Sequence, residues 1–165
     1  MTAIYPGSFD PITLGHLNII RRASKIFDRL YVCVLVNSDK NTLFTRNERV
    51  ELITRCVSRF GNVVVEMSDD LGVSYAREKN ASVIIKGLRA VSDFDREFQI
   101  ALANKKIDDG IETLFMAAGE KYTYLSSTVV KEMANYGADI TEFVPVEILE
   151  DVLAKVRQNK AGQNA

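Results

Sequence analysis

Five short runs rich in β-branched residues are separated along the chain by longer segments whose apolar residues recur every three or four positions. This alternation favours a parallel sheet with helices on both faces, because two parallel strands need a crossover long enough to hold a helix. The second and fourth runs are apolar nearly throughout, as is typical of strands covered on both faces. We therefore predict an α/β protein with a Rossmann-like, doubly wound, five-stranded parallel sheet in the order 3-2-1-4-5, followed by C-terminal helices. The predicted strands are residues 3–5, 30–36, 63–66, 83–86 and 113–116.

Apolar periodicity and a capping signal predict the helices between these strands. Leu14, Leu17 and Ile20 recur at three-residue steps, which predicts a first helix over residues 14–27. The run Thr45-Arg46-Asn47-Glu48 is a capping box that opens a second helix, since its threonine and glutamate can each satisfy a backbone amide. The apolar residues within 71–75, 94–102, 129–134 and 148–156 predict four more helices.

Length and composition indicate a single domain, residues 1–165, in which the polar segment 158–165 is expected to be a disordered tail. A chain of 165 residues with 47% hydrophobic residues buries roughly 70% of its unfolded surface, which is enough for one core. The 21 basic and 22 acidic residues give a net charge of −1, which argues against binding nucleic acid through a bulk positive surface. The longest apolar run, residues 30–36, is far shorter than the roughly 20 residues that span a bilayer, so we expect no membrane contact.

The two cysteines, Cys33 and Cys56, lie inside apolar patterns rather than in a pair motif. We interpret them as reduced core thiols and, with no basic-then-apolar leader at the start of the sequence, expect a cytoplasmic protein. Two cysteines and one histidine hardly suffice for a zinc site, so we expect no metal held by protein ligands alone.

The loop after the first predicted strand carries residues suited to a phosphate. In this sheet order, a ligand is expected beyond the carboxyl ends of the first and fourth strands, where the winding reverses. There Gly7 allows a close backbone approach, Ser8 offers a hydroxyl, and Thr13 can cap the helix whose first turn contains His16. Free amides and the positive end of the helix dipole favour a bound phosphate at such a turn. A solvent-facing or capping histidine is the usual alternative for an isolated residue of this kind.

A second polar segment, residues 122–131, has three consecutive hydroxyl residues, Ser126, Ser127 and Thr128, at the start of a helix. Several exposed amides at such a start form another anion site, although an ordinary helix cap would use the same residues. The Gly-x-Gly-x-x-Gly pattern is missing after the first strand, which disfavours a nicotinamide-dependent oxidoreductase.

Three segments of the chain carry a recognisable pattern. They are Ser8-Phe9-Asp10-Pro11 with Thr13-x-Gly15-His16, then Gly87-Leu88-Arg89, then Ser126-Ser127-Thr128-x-Val130-Lys131. Together they resemble the phosphopantetheine adenylyltransferase family of bacterial type, within the nucleotidyltransferase superfamily that carries a T/H-x-G-H motif, and the resemblance covers about residues 3–157 in order and spacing. It implies transfer of the adenylyl group of ATP to 4′-phosphopantetheine, with Mg²⁺ on the ATP phosphates, to give dephospho-coenzyme A and pyrophosphate in coenzyme A biosynthesis. It also implies a homohexamer.

The resemblance also assigns roles to individual residues. His16 would bind ATP and stabilise the transition state, with Ser8, Lys40 and Arg89 in the catalytic set. Ser8, Lys40, Gly72 and Lys86 would hold phosphopantetheine. The residues implied to contact ATP are Ser8, Phe9, His16, Gly87, Leu88, Arg89, Glu97, Tyr122, Thr123, Tyr124, Leu125, Ser126, Ser127 and Thr128.

The sequence departs from the family pattern at three of its positions. Lys86 stands where arginine is common, which keeps the charge but loses the bidentate fork. Ala118 stands where proline is common, and Ser8 replaces the more usual threonine while keeping the hydroxyl. Without the resemblance, Lys40 and Glu97 would be interpreted as solvated charges, and Arg21 and Arg22 as the solvated face of the first helix.

The chemistry of this reaction agrees with the residues that the chain contains. A phosphate monoester has its second pKa near ~6, so the acceptor is mostly ionised and needs no side-chain base. Accordingly, the sequence offers no Ser–His–Asp or Cys–His arrangement. Cations must converge on the site, because two unit charges 4 Å apart repel by about 4 kcal/mol at an effective dielectric constant of 20.

Two other functions remain open at this point. Another small nucleotidyltransferase could act on a mononucleotide or use CTP, because the choice of acceptor depends on pocket shape. A nucleotide-binding regulatory module without turnover is disfavoured by His16, since a module that only binds needs no transition-state donor.

Overall fold

The computed structural model describes residues 1–35, 42–89 and 91–163. Its five strands all lie parallel to their neighbours in the order β3-β2-β1-β4-β5, which confirms the predicted topology. The strands are β1 (Thr2–Gly7), β2 (Arg29–Leu35), β3 (Val63–Ser68), β4 (Val83–Leu88) and β5 (Glu112–Ala117). The helices are α1 (Leu14–Ala23), α2 (Arg46–Val57), α3 (Gly72–Glu78), α4 (Val91–Ile107), α5 (Ser127–Asn135) and α6 (Leu149–Gln163), with short 3₁₀ turns at Glu120–Tyr122 and Val146–Ile148.

Side chains that alternate along the central strands fill a core on each face of the sheet. Ala3 and Tyr5 of β1 belong to the larger cluster, together with apolar residues of α1, α2, α5 and α6. Ile4 points the other way and joins a smaller cluster with Val73 and Tyr75 of α3. The sheet is therefore the middle layer of three, as predicted for a doubly wound fold.

Both cysteines are free and buried, as predicted. Burial raises the pKa of each thiol, Cys33 and Cys56, to about 12. Within the described ranges, no helix is both long and apolar enough to cross a bilayer.

The register of the ladders opens a cleft in the middle of the sheet. β1 is paired with β2 from Thr2 through Gly7, whereas its pairing with β4 extends only over Ala3–Val83 and Ile4–Ile84. The two central strands therefore separate towards their carboxyl ends, which is the position of the predicted switch point.

The helix boundaries differ from the predictions in two places. α1 ends at Ala23 instead of residue 27, because Lys25 and Ile26 form tight turns that bring Phe27 back into the core. α6 continues to Gln163, so residue 158, where we expected the tail to begin, does not mark the end of the helix.

The described residues leave the apolar stripe that predicted α4 partly exposed. Phe94, Phe98 and Leu102 are 39%, 43% and 56% exposed. The neighbouring strand β5 lies at the edge of the sheet. The stripe contacts β5 through Phe94 and Phe115, whose ring centroids are 5.6 Å apart.

Candidate active site

A cavity of about 290 Å³ lies where β1 and β4 separate. The loops that follow these two strands form its floor, and the first turns of α1 and α5 form its walls. The structure thus brings together residues from all three sequence segments. The predicted site residues that line the cavity are Ser8, Phe9, His16, Lys86, Gly87, Arg89, Glu97, Leu125, Ser126, Ser127 and Thr128.

Other predicted site residues are not part of this lining. Lys40 lies outside the described residues, so its role stays a prediction. Gly72 begins α3, and a Cβ atom added to it would lie 3.9 Å from Cγ of Pro6, a cavity residue. Leu88, Tyr122, Thr123 and Tyr124 also lie outside the lining, and their contacts with ATP stay predictions.

The cap of α1 holds His16 and fixes the orientation of its ring. Thr13 accepts a hydrogen bond from the N–H of His16 at 3.2 Å, and Nδ1 of His16 accepts one from the N–H of Thr13 at 3.1 Å. Because Nδ1 is an acceptor, the proton of a neutral ring must be on Nε2. Capping and ligand binding are therefore compatible roles, and Nε2 keeps a donor for a ligand.

The surroundings of His16 favour its neutral form. Burial and, to a smaller extent, the nearby charge of Arg89 together lower the pKa of the imidazole to about 4. The ring of Phe9, which is 2% exposed, lies edge-on to the imidazole with 5.1 Å between the ring centroids. At neutral pH, His16 is therefore an uncharged hydrogen-bond donor.

The two cationic side chains at the carboxyl end of β4, Lys86 and Arg89, are paired with carboxylates on α4. Nζ of Lys86 lies 2.9 Å from Oε2 of Glu97. Nε and one terminal nitrogen of Arg89 donate to Asp93 at 3.0 and 3.1 Å, and the other terminal nitrogen donates to the carbonyl of Leu125 at 3.0 Å. Asp93 and Glu97 are one helical turn apart, so a single face of α4 neutralises both cations.

The first and last of the three sequence segments contact each other beside the cavity. Oγ of Ser127 donates to the carbonyl of Pro11 at 2.8 Å. Nζ of Lys131 lies 2.9 Å from the Asp10 carboxylate. The segments are more than a hundred residues apart in sequence, yet the cavity takes lining residues from both.

Sequence reasoning missed several residues that hold this site together. Asp93 was not singled out, although its spacing of four from Glu97 was a usable signal. Arg49 is 5% exposed and donates to the carbonyl of Ser8 at 2.7 Å. Arg49 lies on the buried face of α2, together with Leu52, Ile53 and Cys56. A charged residue on an otherwise apolar helix face is the sequence signal that could have identified it.

Arg21 is exposed as predicted, whereas Arg22 is half-buried rather than fully solvated. Its guanidinium donates to the carbonyl of Ala117 at 2.6 Å, at the end of β5. The long side chain reaches from α1 across the sheet edge, and this contact satisfies a strand-terminal carbonyl.

The family is shown by comparison with known proteins. Residues 4–133 match the family described as cytidylyltransferase-like. The chain is 52% identical over 159 residues to a phosphopantetheine adenylyltransferase of Clostridium botulinum (strain Hall), covering 96% of this chain and 97% of that protein. The chain belongs to the phosphopantetheine adenylyltransferase family. A second relative in this family, from Clostridium novyi (strain NT), is 53% identical over 154 residues, 93% of this chain and 96% of that protein.

Solved structures of more distant proteins agree with the fold. The Plasmodium falciparum nicotinic acid mononucleotide adenylyltransferase, complexed with NaAD, superposes with a TM-score of 0.65 at 14% identity, covering 96% of this chain and 95% of that chain. A lipopolysaccharide core biosynthesis protein of Thermoplasma volcanium gives a TM-score of 0.53 at 22% identity over 72% of this chain and 96% of that one. At these identities the likeness supports the three-layer fold of the family and no finer property.

The low pKa of His16 predicts that this residue makes the free energy of unfolding depend on pH. The unfolded chain binds a proton near pH 6.5 and the folded chain only near pH 4, so the free energy of unfolding falls as the pH drops from 6.5 to 4. In His16→Gln, the slope of unfolding free energy against pH, measured by urea titration, should be smaller in this window. An unchanged slope would contradict the neutral, buried ring, and the ¹⁵N spectrum of this single histidine should show a proton on Nε2.

Proposed function

We propose that the chain transfers the adenylyl group of ATP to 4′-phosphopantetheine and releases pyrophosphate, with dephospho-coenzyme A as the second product. The observation that carries this proposal is the cavity between β1 and β4. His16, the N-termini of two helices, and the cationic side chains of Lys86 and Arg89 all lie at this cavity. Identity above half with phosphopantetheine adenylyltransferases over 96% of the chain supports the choice of substrates.

The reaction needs positioning more than it needs an activated side chain. An oxygen of the acceptor phosphate attacks the α-phosphorus of ATP and forms the new P–O bond, while the bond to the bridging oxygen of pyrophosphate breaks. The attacking phosphate is already ionised at neutral pH, so no proton has to be removed. Catalysis then consists of alignment and of stabilising the charge that develops on the α-phosphoryl oxygens and on pyrophosphate.

His16 is suited to the second of these tasks. Its neutral ring presents an Nε2–H donor, because Nδ1 is occupied by the N–H of Thr13. A donor that is fixed before the substrate arrives needs no reorganisation during the reaction, which is the basis of electrostatic stabilisation of a transition state. The first turn of α5, with Ser126, Ser127 and Thr128, adds the positive end of a helix dipole on the opposite wall.

Lys86 and Arg89 are suited to holding the phosphates of the two substrates. Each is paired with a carboxylate of α4, Glu97 or Asp93, so an incoming phosphate competes with that carboxylate for the cation. At 4 Å, a unit charge pair contributes about 4 kcal/mol at an effective dielectric constant of 20. We assign Lys86 and Ser8, with Lys40 and Gly72, to phosphopantetheine, and Arg89, Glu97 and the 122–128 segment to ATP.

Mg²⁺ fits this site as an ion carried by ATP rather than by the protein. Among the described residues, no three His, Cys, Asp or Glu side chains form a group that could hold a metal ion. The hydroxyls of Ser8 and Thr128, both lining the cavity, are oxygen donors of the kind that Mg²⁺ accepts beside phosphates and water. When bound, the ion would neutralise part of the charge of the triphosphate.

The assembly and location of the enzyme complete the proposal. A homohexamer is supported by the family resemblance and by the exposed stripe of Phe94, Phe98 and Leu102 on α4, since apolar patches of this kind mark protein interfaces. A cytoplasmic location is supported by the two free, buried cysteines.

Pyrophosphate release tests the function. With ATP, Mg²⁺ and 4′-phosphopantetheine, the purified protein should release pyrophosphate continuously, and mass spectrometry should detect dephospho-coenzyme A. Reactions with nicotinamide mononucleotide as acceptor, or with CTP in place of ATP, are the controls. Turnover with one of these but not with phosphopantetheine and ATP would overturn the proposal.

Removing the imidazole should slow the reaction without unfolding the protein. In His16→Ala, kcat should fall on the order of 10² to 10³, as expected for the loss of one transition-state donor. The matched control is His16→Gln, because glutamine at this position of a helix can still accept the N–H of Thr13. The glutamine amide can also offer an N–H donor, so His16→Gln should lose less rate than His16→Ala, and only the alanine variant should lose about 1 kcal/mol of cap stability. Wild-type kcat in His16→Ala would reject the role of His16.

Removing the Lys86 cation should affect one substrate more than the other. In Lys86→Ala, the KM for 4′-phosphopantetheine should rise about 10-fold or more, since a charge-assisted contact is lost and Glu97 is left unpaired, while the KM for ATP should change less. Lys105→Ala is the control, because Lys105 pairs with Glu112 at the amino end of β5 and should leave both values unchanged. A rise confined to the KM for ATP would mean that the two subsites are exchanged.

A further inference from the structure

A buried carboxylate ties the loop after β1 to two distant segments of the chain. Asp10 is 3% exposed. Its Oδ1 accepts the N–H of Phe44 and its Oδ2 accepts the N–H of Leu43, both at 2.8 Å, and Nζ of Lys131 lies 2.9 Å from Oδ2. Both carboxylate oxygens are thus occupied by protein donors, and Asp10 is not among the residues that line the cavity. It therefore acts on its neighbours rather than on a substrate.

The neighbours of Asp10 on the loop form part of the cavity. Ser8 and Phe9, the two residues before it, both line the cavity. The carbonyl of Ser8 is fixed on its other side by Arg49, which donates to it at 2.7 Å and is 5% exposed. The backbone at Ser8, Phe9 and Asp10 is accordingly held from two directions by buried charged groups.

The partner of Asp10 on α5 sits one turn beyond the residues that form the opposite wall. Ser127 and Lys131 are four residues apart and share one face of the helix. Ser127 donates to the carbonyl of Pro11, while Lys131 pairs with Asp10. The two contacts together set the distance between the loop after β1 and the first turn of α5.

We propose that Asp10, through its pair with Lys131, is a positioning residue that fixes the spacing between the two phosphate-binding walls of the cavity. The inference deepens the proposed function and rests on it. An adenylyl transfer between two ionised phosphates depends on alignment, and a misplacement of about 1 Å costs on the order of 10²-fold in rate. A loosened pair therefore lowers kcat more than it weakens the binding of either substrate.

The test compares two lysines that undergo the same substitution. Lys131 pairs with Asp10 and has a side chain 25% exposed, while Lys79 pairs with Glu66 at 2.6 Å and has a side chain 20% exposed. Neither lines the cavity. Lys131→Met should lower kcat at least about 10-fold with smaller changes in both KM values, as expected for lost alignment. Lys79→Met should lower only the melting temperature, and Lys131→Arg, which restores the cation, should recover most of the rate.

A second readout does not depend on turnover. His16 is the only histidine, and its ring lies 5.1 Å from the ring of Phe9 on the loop that Asp10 holds. Any movement of that loop changes the ring current at the imidazole. The side-chain NMR signals of His16 should therefore shift in Lys131→Met and in Asp10→Asn, and should stay in place in Lys79→Met.

The outcomes separate this inference from the proposed function. If the folded Lys131→Met protein shows the same kcat and the same His16 signals as Lys79→Met and wild-type protein, the pair is only a stabilising contact and the inference is wrong. If wild-type protein shows no turnover but the His16 signals shift as expected, the proposed function fails while the geometric role of Asp10 survives. If Asp10→Asn does not fold, Lys131→Met decides alone.

Discussion

The site depends on the separation of β1 and β4. Two parallel strands that stayed paired to their ends would leave no room between the loops that follow them. Here the ladder stops at Ile4 and Ile84, while β1 remains paired with β2 as far as Gly7. The sheet therefore stays continuous at its amino end and is open at the other. The cavity takes its lining from these two strands and the loops after them, from the helices beside them, and from the segment between β5 and α5.

The local packing at this opening leaves little space for larger residues. A Cβ atom on Gly7 would lie 3.0 Å from the ring of Phe9, and one on Gly87 would lie 3.2 Å from the hydroxyl of Tyr5. Gly7 ends β1 and Gly87 is the last residue but one of β4, and both allow a close approach of backbone and side chain. Burial raises the pKa of Tyr5 well above its usual value, so this hydroxyl stays neutral beside the charged groups of the cavity.

Features determined by neighbouring residues could be predicted from the sequence. The alternation of strand and helix patterns predicted the parallel sheet with its helices, and the cap by Thr13 and the capping box at Thr45 are both present as predicted. The capping residue Thr13 also explains why His16 lies at the cavity. The local sequence was sufficient to predict the helix caps, because the residues that form each cap lie within one helical turn of each other.

Features that depend on distant partners could not be predicted. Asp10 is bound by groups 33, 34 and 121 residues away, and no periodicity connects these positions. The apolar stripe of α4 predicted the helix correctly, but a stripe cannot tell whether its own chain covers it. Lys86 was expected to be available for phosphate, whereas the structure pairs it with Glu97, because pairing depends on how α4 packs over β4.

The burial of both cysteines has a consequence for a substrate that itself ends in a thiol, as 4′-phosphopantetheine does. With the pKa of Cys33 and Cys56 near 12, only about one thiol in 10⁵ is a thiolate at pH 7. Disulfide exchange requires a thiolate with access to its target. Neither buried thiol is therefore suited to exchange with the thiol of the substrate or with a disulfide formed from it.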